Sequence, residues 1–216
     1  MNRFIYFKVI FIFFLFGLTV YGFADTDILS TFEIEGANFT YDIESGSIVS
    51  SGVLVLKSKD FYIEVENVVF DTEKQTLKGE GKVKIKIEGV NIEGAGIDID
   101  FKKGVANIQK NVKVWGIEKE DKWKIEGEAL VVDFIFKEDM KKVKDLYVKN
   151  KAYFSYNNLN GEAESVKYFP SEKKVFLEGN VNIKKGKNTI IADNIVINLK
   201  TKKVVTKGKV KIIVNK

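Results

Sequence analysis

The 216-residue chain has no cysteine, no histidine, one proline (Pro170) and one arginine (Arg3). Without cysteine no disulfide staples the fold, so burial and ladder hydrogen bonds must hold it alone. Lack of histidine removes the commonest general base near neutral pH, and the two absences together remove the commonest soft metal ligands. Arg3 lies in a segment expected to be removed, which leaves no guanidinium fork to grip phosphate or carboxylate at two points. Asp, Glu, Lys, Ser and Tyr remain for chemistry, but no local cluster of them breaks the pattern described below. The chain is therefore read as a non-enzyme, with no catalytic residue, metal site or cofactor expected.

Charge of one sign is also scarce. There are 35 basic and 30 acidic residues; without Arg3 and Lys8, 33 basic ones remain. Lysines alternate with glutamates instead of gathering in a patch, which argues against nucleic acid as a partner. Hydrophobic residues make up 45% of the chain, enough for one domain with a sizeable core or a single solenoid-like array.

The only long apolar run is at the start. Arg3 and Lys8 supply a positive n-region, Val9 to Val20 is apolar apart from Gly17 and Thr19, and Gly22-Phe23-Ala24 offers small residues to a signal peptidase. Cleavage after Ala24 is expected, giving residues 1–24 as signal peptide and 25–216 as one domain. The alternative is an uncleaved anchor, since Phe4 to Ala24 is nearly long enough to span a bilayer. Either reading places residue 25 onward outside the cytoplasm.

What the chain does have is a phrase repeated about every thirty residues, the mark of a stack whose units cannot bury their own apolar faces. An aliphatic residue, an acid and a small residue lead to a closing Asp eight positions on: Ile34 to Asp42, Ile63 to Asp71, Ile92 to Asp100 and Ile125 to Asp133. Leu159 to Lys167 and Ile190 to Asn198 keep the spacing and lose the acid. Between phrases the apolar residues fall at every second position, as in Lys82-Val83-Lys84-Ile85-Lys86-Ile87, which is the strand period. Turns are expected at Glu44-Ser45-Gly46, Lys102-Lys103-Gly104, Lys184-Lys185-Gly186 and Lys207-Gly208. Charged insertions at Glu118 to Lys122 and Lys137 to Lys144 read as solvated loops, the second with a single helical turn as the alternative. The closing acids are too sparse for calcium and read as turn caps.

The tail resembles the OstA/LptA family. The resemblance is carried by Gly179-Asn180-Val181, by Ile190-Ile191-Ala192-Asp193 with its strand closing at Asn198, and by Gly208-Lys209-Val210. The middle, Leu77 to Gly81 and Ile92-Glu93-Gly94-Ala95-Gly96-Ile97, is similar to LptC as well. Gly94-Ala95-Gly96 departs from the usual Ala-Asp, and the chain is long for LptA. The resemblance implies an all-β fold, an OstA-like β-jellyroll or twisted open β-solenoid of about six repeats. It also implies a periplasmic bridge, or an inner-membrane-anchored adaptor, that carries lipopolysaccharide or a similar lipid toward the outer membrane and joins similar jellyrolls, including its own copies, end to end. Such carriage makes physical sense: a methylene crossing water costs about 0.8 kcal/mol, so a twelve-carbon chain costs about 10 kcal/mol unless an apolar trough shields it.

The lipid surface is expected on the inward columns at Ile34, Ile63, Val83, Ile85, Ile92, Phe101, Ile125, Phe134, Val181, Ile183, Ile191 and Ile197, in a groove left partly open between two sheets. Each of these is equally at home in an ordinary jellyroll core. Trp115 and Trp123 flank the first insertion, at a boundary suited to indole. Val210, Ile212 and Val214 mark a terminal edge open to strand addition, blunted by Lys209 and Lys211. A non-lipid structural solenoid of the envelope, or a polysaccharide-cleaving β-helix using Asp and Lys, are the alternatives of other classes.

Overall fold

A computed structural model describes residues 32–36, 38–118, 120–137 and 140–214; the expected signal segment lies outside them. They form fourteen strands and no helix: β1 (Glu33–Gly36), β2 (Phe39–Asp42), β3 (Ser47–Ser58), β4 (Phe61–Asp71), β5 (Thr76–Ile87), β6 (Val90–Asp100), β7 (Val105–Glu118), β8 (Asp121–Gly127), β9 (Ala129–Lys137), β10 (Met140–Tyr156), β11 (Leu159–Phe169), β12 (Lys174–Lys185), β13 (Asn188–Asn198) and β14 (Lys203–Ile213). All belong to one antiparallel sheet. Strands β8 and β9 behave as one strand broken at Glu128, since both pair with β7 and with β10.

Nearly every strand pair shifts register in its middle: between Ser50 and Val53, Val65 and Val68, Gly79 and Lys82, Glu178 and Val181, and Ala192 and Asn194. An extra residue at such a bulge reverses which side chains face inward. Along β4, Phe61, Ile63 and Val65 are buried before it, and Val68 and Phe70 after it. The bulges carry left-handed residues, among them Asn67 (φ 52°), Asn111 (φ 52°), Asn180 (φ 46°) and Gly208 (φ 84°), types that tolerate this region. The repeated Gly-x-Val glycines therefore mark a corner inside the strands. Lys207-Gly208 is part of β14 and not a turn, which corrects the expectation.

Acids of the repeat satisfy donors at the corner. Lys82 N–H donates to Glu66 Oε2 (3.2 Å) and Lys209 N–H to Asp193 Oδ2 (2.8 Å). Closing acids do so at the hairpins: Asp42 Oδ1 accepts from Glu44 and Ser45, Asp71 Oδ1 from Lys74, and Asp100 Oδ1 from Lys103. Asn198 Oδ1 accepts from Thr201 at 2.8 Å, so the copy that lost its acid keeps the cap. Asp133 and Lys167 do not cap, because β9 and β11 run on past them. The Lys137–Lys144 insertion is also corrected: Lys141 to Lys144 are already strand β10, and residues 138–139 lie outside the described set.

Candidate functional site: the rolled interior

Folding at the corner brings the two rims of hairpin turns together, so the sheet rolls around its own apolar face. Phe61, beside the β3–β4 turn on one rim, meets Phe134 and Phe136 near the other rim, with ring centroids 5.8 and 5.6 Å away. Trp123 at the start of β8 packs on Tyr168 at the end of β11, 4.5 Å between centroids. A polar latch closes the seam beside them. Asp121 takes the Tyr156 hydroxyl at 2.7 Å, the Asn157 amide at 2.7 Å and the Lys202 ammonium at 3.1 Å, and the Tyr156 hydroxyl lies 3.2 Å from the Leu199 carbonyl. These partners hold the Asp121 carboxyl down to about 2, the Tyr156 hydroxyl first among them.

The interior is aliphatic and aromatic from β3 to β13. Ile63, Val83, Ile85, Ile92, Phe101, Ile125, Phe134, Val181, Ile183 and Ile197 all lie in it, each 6% exposed or less. Ile34 is half-buried and packs against it from β1. Ile191 does not share it: the side chain is 39% exposed and faces outward, while Ile190 and Ala192 on either side turn inward. Alternation through the run Ile190-Ile191-Ala192 can be read in either parity from sequence, and only pairing of Ala192 with Val181 fixes it.

At the β14 end no described residue covers this face. Val210 and Ile212 pair with Ala192 and Ile190 and so point to the same side, yet they are 43% and 62% exposed; Val214, just past β14, is exposed too. Of the two indoles, Trp123 is core and Trp115 is a half-buried outward residue. Trp115 lines a shallow surface concavity with Ile117, Lys122 and Ser155. Among the described residues no group of three or more carboxylates could hold a metal ion.

Residues 135–203, from β9 to the start of β14, match the family described as LptA/(LptD N-terminal domain) LPS transport protein. Over this segment the chain is similar to the OstA/LptA family. Its β-jellyroll also aligns with the crystal structure of LptH, the LptA homologous periplasmic component of the conserved lipopolysaccharide transport device from Pseudomonas aeruginosa. The TM-score is 0.50 at 14% identity, over 59% of this chain and 95% of that one, so the likeness is one of fold. Nearly the whole of LptH thus corresponds to part of this longer OstA-like stack. No curated protein matches the chain.

Sequence reasoning missed two things about this OstA-like interior. One is the seam, whose partners lie 35 to 81 residues apart in the chain. The other is Lys141, a lysine facing inward at the start of β10, 7% exposed. Its place in a charged run read as loop hid it.

Proposed function

We propose that this protein is a periplasmic carrier that takes the acyl chains of lipopolysaccharide, or of a similar envelope lipid, into its rolled sheet and passes the lipid toward the outer membrane. The observation that carries this reading is the interior: an apolar strip continuous across the stacked strands and uncovered at Val210 and Ile212. The match of residues 135–203 to an LPS transport family and the shared fold with a periplasmic transport component support it. Passing a lipid along such a strip breaks no bond, in keeping with a chain poor in catalytic side chains.

In the structure the interior side chains pack on one another, so an acyl chain must displace them. Rims joined by aromatic contacts and a hydrogen-bonded latch, without a disulfide, can part to admit it. Residues 1–24 act in this reading as a signal peptide, and 25–216 as one working unit. An intact N-terminus on the purified protein would instead favour an anchored adaptor.

The test is lipid carried through gentle purification from the native envelope. Extractable acyl chains are expected from the wild type, and Ile85→Glu or Ile183→Glu should abolish them. Lipid retained by either variant with its β-sheet circular dichroism intact refutes the groove.

A further inference from the structure

Among the described residues the buried polar side chains are Ser50, Ser165 and Lys141, so Lys141 is the one charged group of the interior. Its cross-strand partner is Phe136, which places both on the inner face. Its Nζ lies 5.0 Å from the ring centroid of Phe32, and Phe32 in turn packs on Phe61 and Phe101 at 5.4 and 5.8 Å. Phe134 and Phe136 complete the aromatic cluster.

No carboxylate of the described residues lies within ion-pairing distance of this ammonium; the field of Asp60, in the β3–β4 turn, reaches it from the opposite rim. Burial pushes the Lys141 ammonium below the usual lysine range, and Asp60 opposes this. A ring face offsets only part of what it costs to take an ammonium out of water. Among the described residues this cation has no ion-paired anion, and the cluster around it is a surface for a hydrocarbon chain.

We infer that Lys141 and the phenylalanines about it form the head-group end of the interior, where the ammonium takes the phosphate or carboxylate of an anionic amphiphile and Phe32, Phe61, Phe101 and Phe136 take the first part of its chain. This rests on the carrier reading and adds an orientation to it: the anionic end sits at Lys141 near the start of β10, and the chain runs along the inner strip. Lys suits the role as a point charge that needs no fixed fork.

The experiment is calorimetric titration of the full mature chain with dodecyl phosphate and with dodecyl maltoside, both below micelle-forming concentration, and with inorganic phosphate alone. Wild type should bind dodecyl phosphate more tightly than the neutral probe. Lys141→Met should weaken dodecyl phosphate about tenfold, as expected for loss of one charge-assisted bond, and leave the maltoside unchanged. Methionine keeps the length and removes the buried charge, so this variant should fold and melt no lower than wild type. Equal affinities of wild type and variant for both amphiphiles overturn the inference and leave the carrier standing. Failure of both amphiphiles to bind wild type overturns the carrier and the inference with it. Inorganic phosphate bound as tightly as dodecyl phosphate, and lost in the variant, makes a free anion the ligand and overturns the head-group assignment.

Discussion

At the scale of single residues, small polar groups decide where the chain bends. A short side-chain oxygen eight positions after the repeat phrase can reach the next N–H groups only where a hairpin follows at once. That is why Asn198 substitutes for aspartate while Asp133 serves another end. Asp133 is paired across β9 and β10 with Asp145, and burial together with the Asp133 charge pushes the Asp145 carboxyl up. A carboxyl raised in the folded state binds its proton more tightly there than when unfolded, so its cost is felt at neutral pH and vanishes below the ordinary value of 3.8. Asp145→Asn should therefore raise the melting temperature at pH 7, with the gain fading as the pH falls toward 3.8. A gain that persists in acid would point to something other than the carboxylate pair. Gly104 is a second such point. It has φ 67°, an added Cβ would lie 2.6 Å from the Phe134 carbonyl, and its own carbonyl takes the Phe134 N–H. Gly104→Ala should cost about 2 kcal/mol in chemical unfolding, from strain at positive φ and the close approach.

At the scale of elements, the strands are set by alternation and the hairpins by their caps, but the seam joins hairpin ends far apart in sequence. Its stability should depend on acid in a definable way. The Asp121 carboxyl is depressed in the folded state, so its contribution is complete above 3.8 and is lost as the pH falls through about 2. Asp121→Asn should speed amide hydrogen exchange in β8 and at the β13–β14 turn at neutral pH, relative to wild type. The two proteins should converge near pH 2. Equal exchange at pH 7 would mean that the aromatic contacts hold the seam without the latch.

At the scale of the whole molecule, the stack runs about 50 Å from β1 to β14 at the usual interstrand spacing. Among the described residues β14 pairs with β13 alone. We propose that Val210, Ile212 and Val214 belong to a head-to-tail contact, in which a second jellyroll continues both the ladder and the inner strip. Light scattering over a concentration series should show wild type growing in mass and Val210→Pro or Ile212→Glu remaining monomeric. A wild type monomeric at every concentration removes self-association and leaves only contact with a different jellyroll.

The period-two alternation in runs such as Lys82 to Ile87 dictated strands, and the repeat dictated stacking, because both rest on neighbours in the chain. Side-chain alternation also placed most of the interior, from Ile63 to Ile197, since turning any of those strands over would bury a charged side chain, Lys84 in β5, Glu64 in β4 or Asp193 in β13. Where alternation is ambiguous, as at Ile190-Ile191-Ala192, it could not choose a face, because a bulge changes parity and the bulge is set by pairing. Only the rolled sheet brought Phe61 to Phe136, Asp121 to Lys202, and the Lys141 ammonium onto the Phe32 ring. Those contacts depend on how far the corner bends, a property of all the strands together and of no local stretch of sequence.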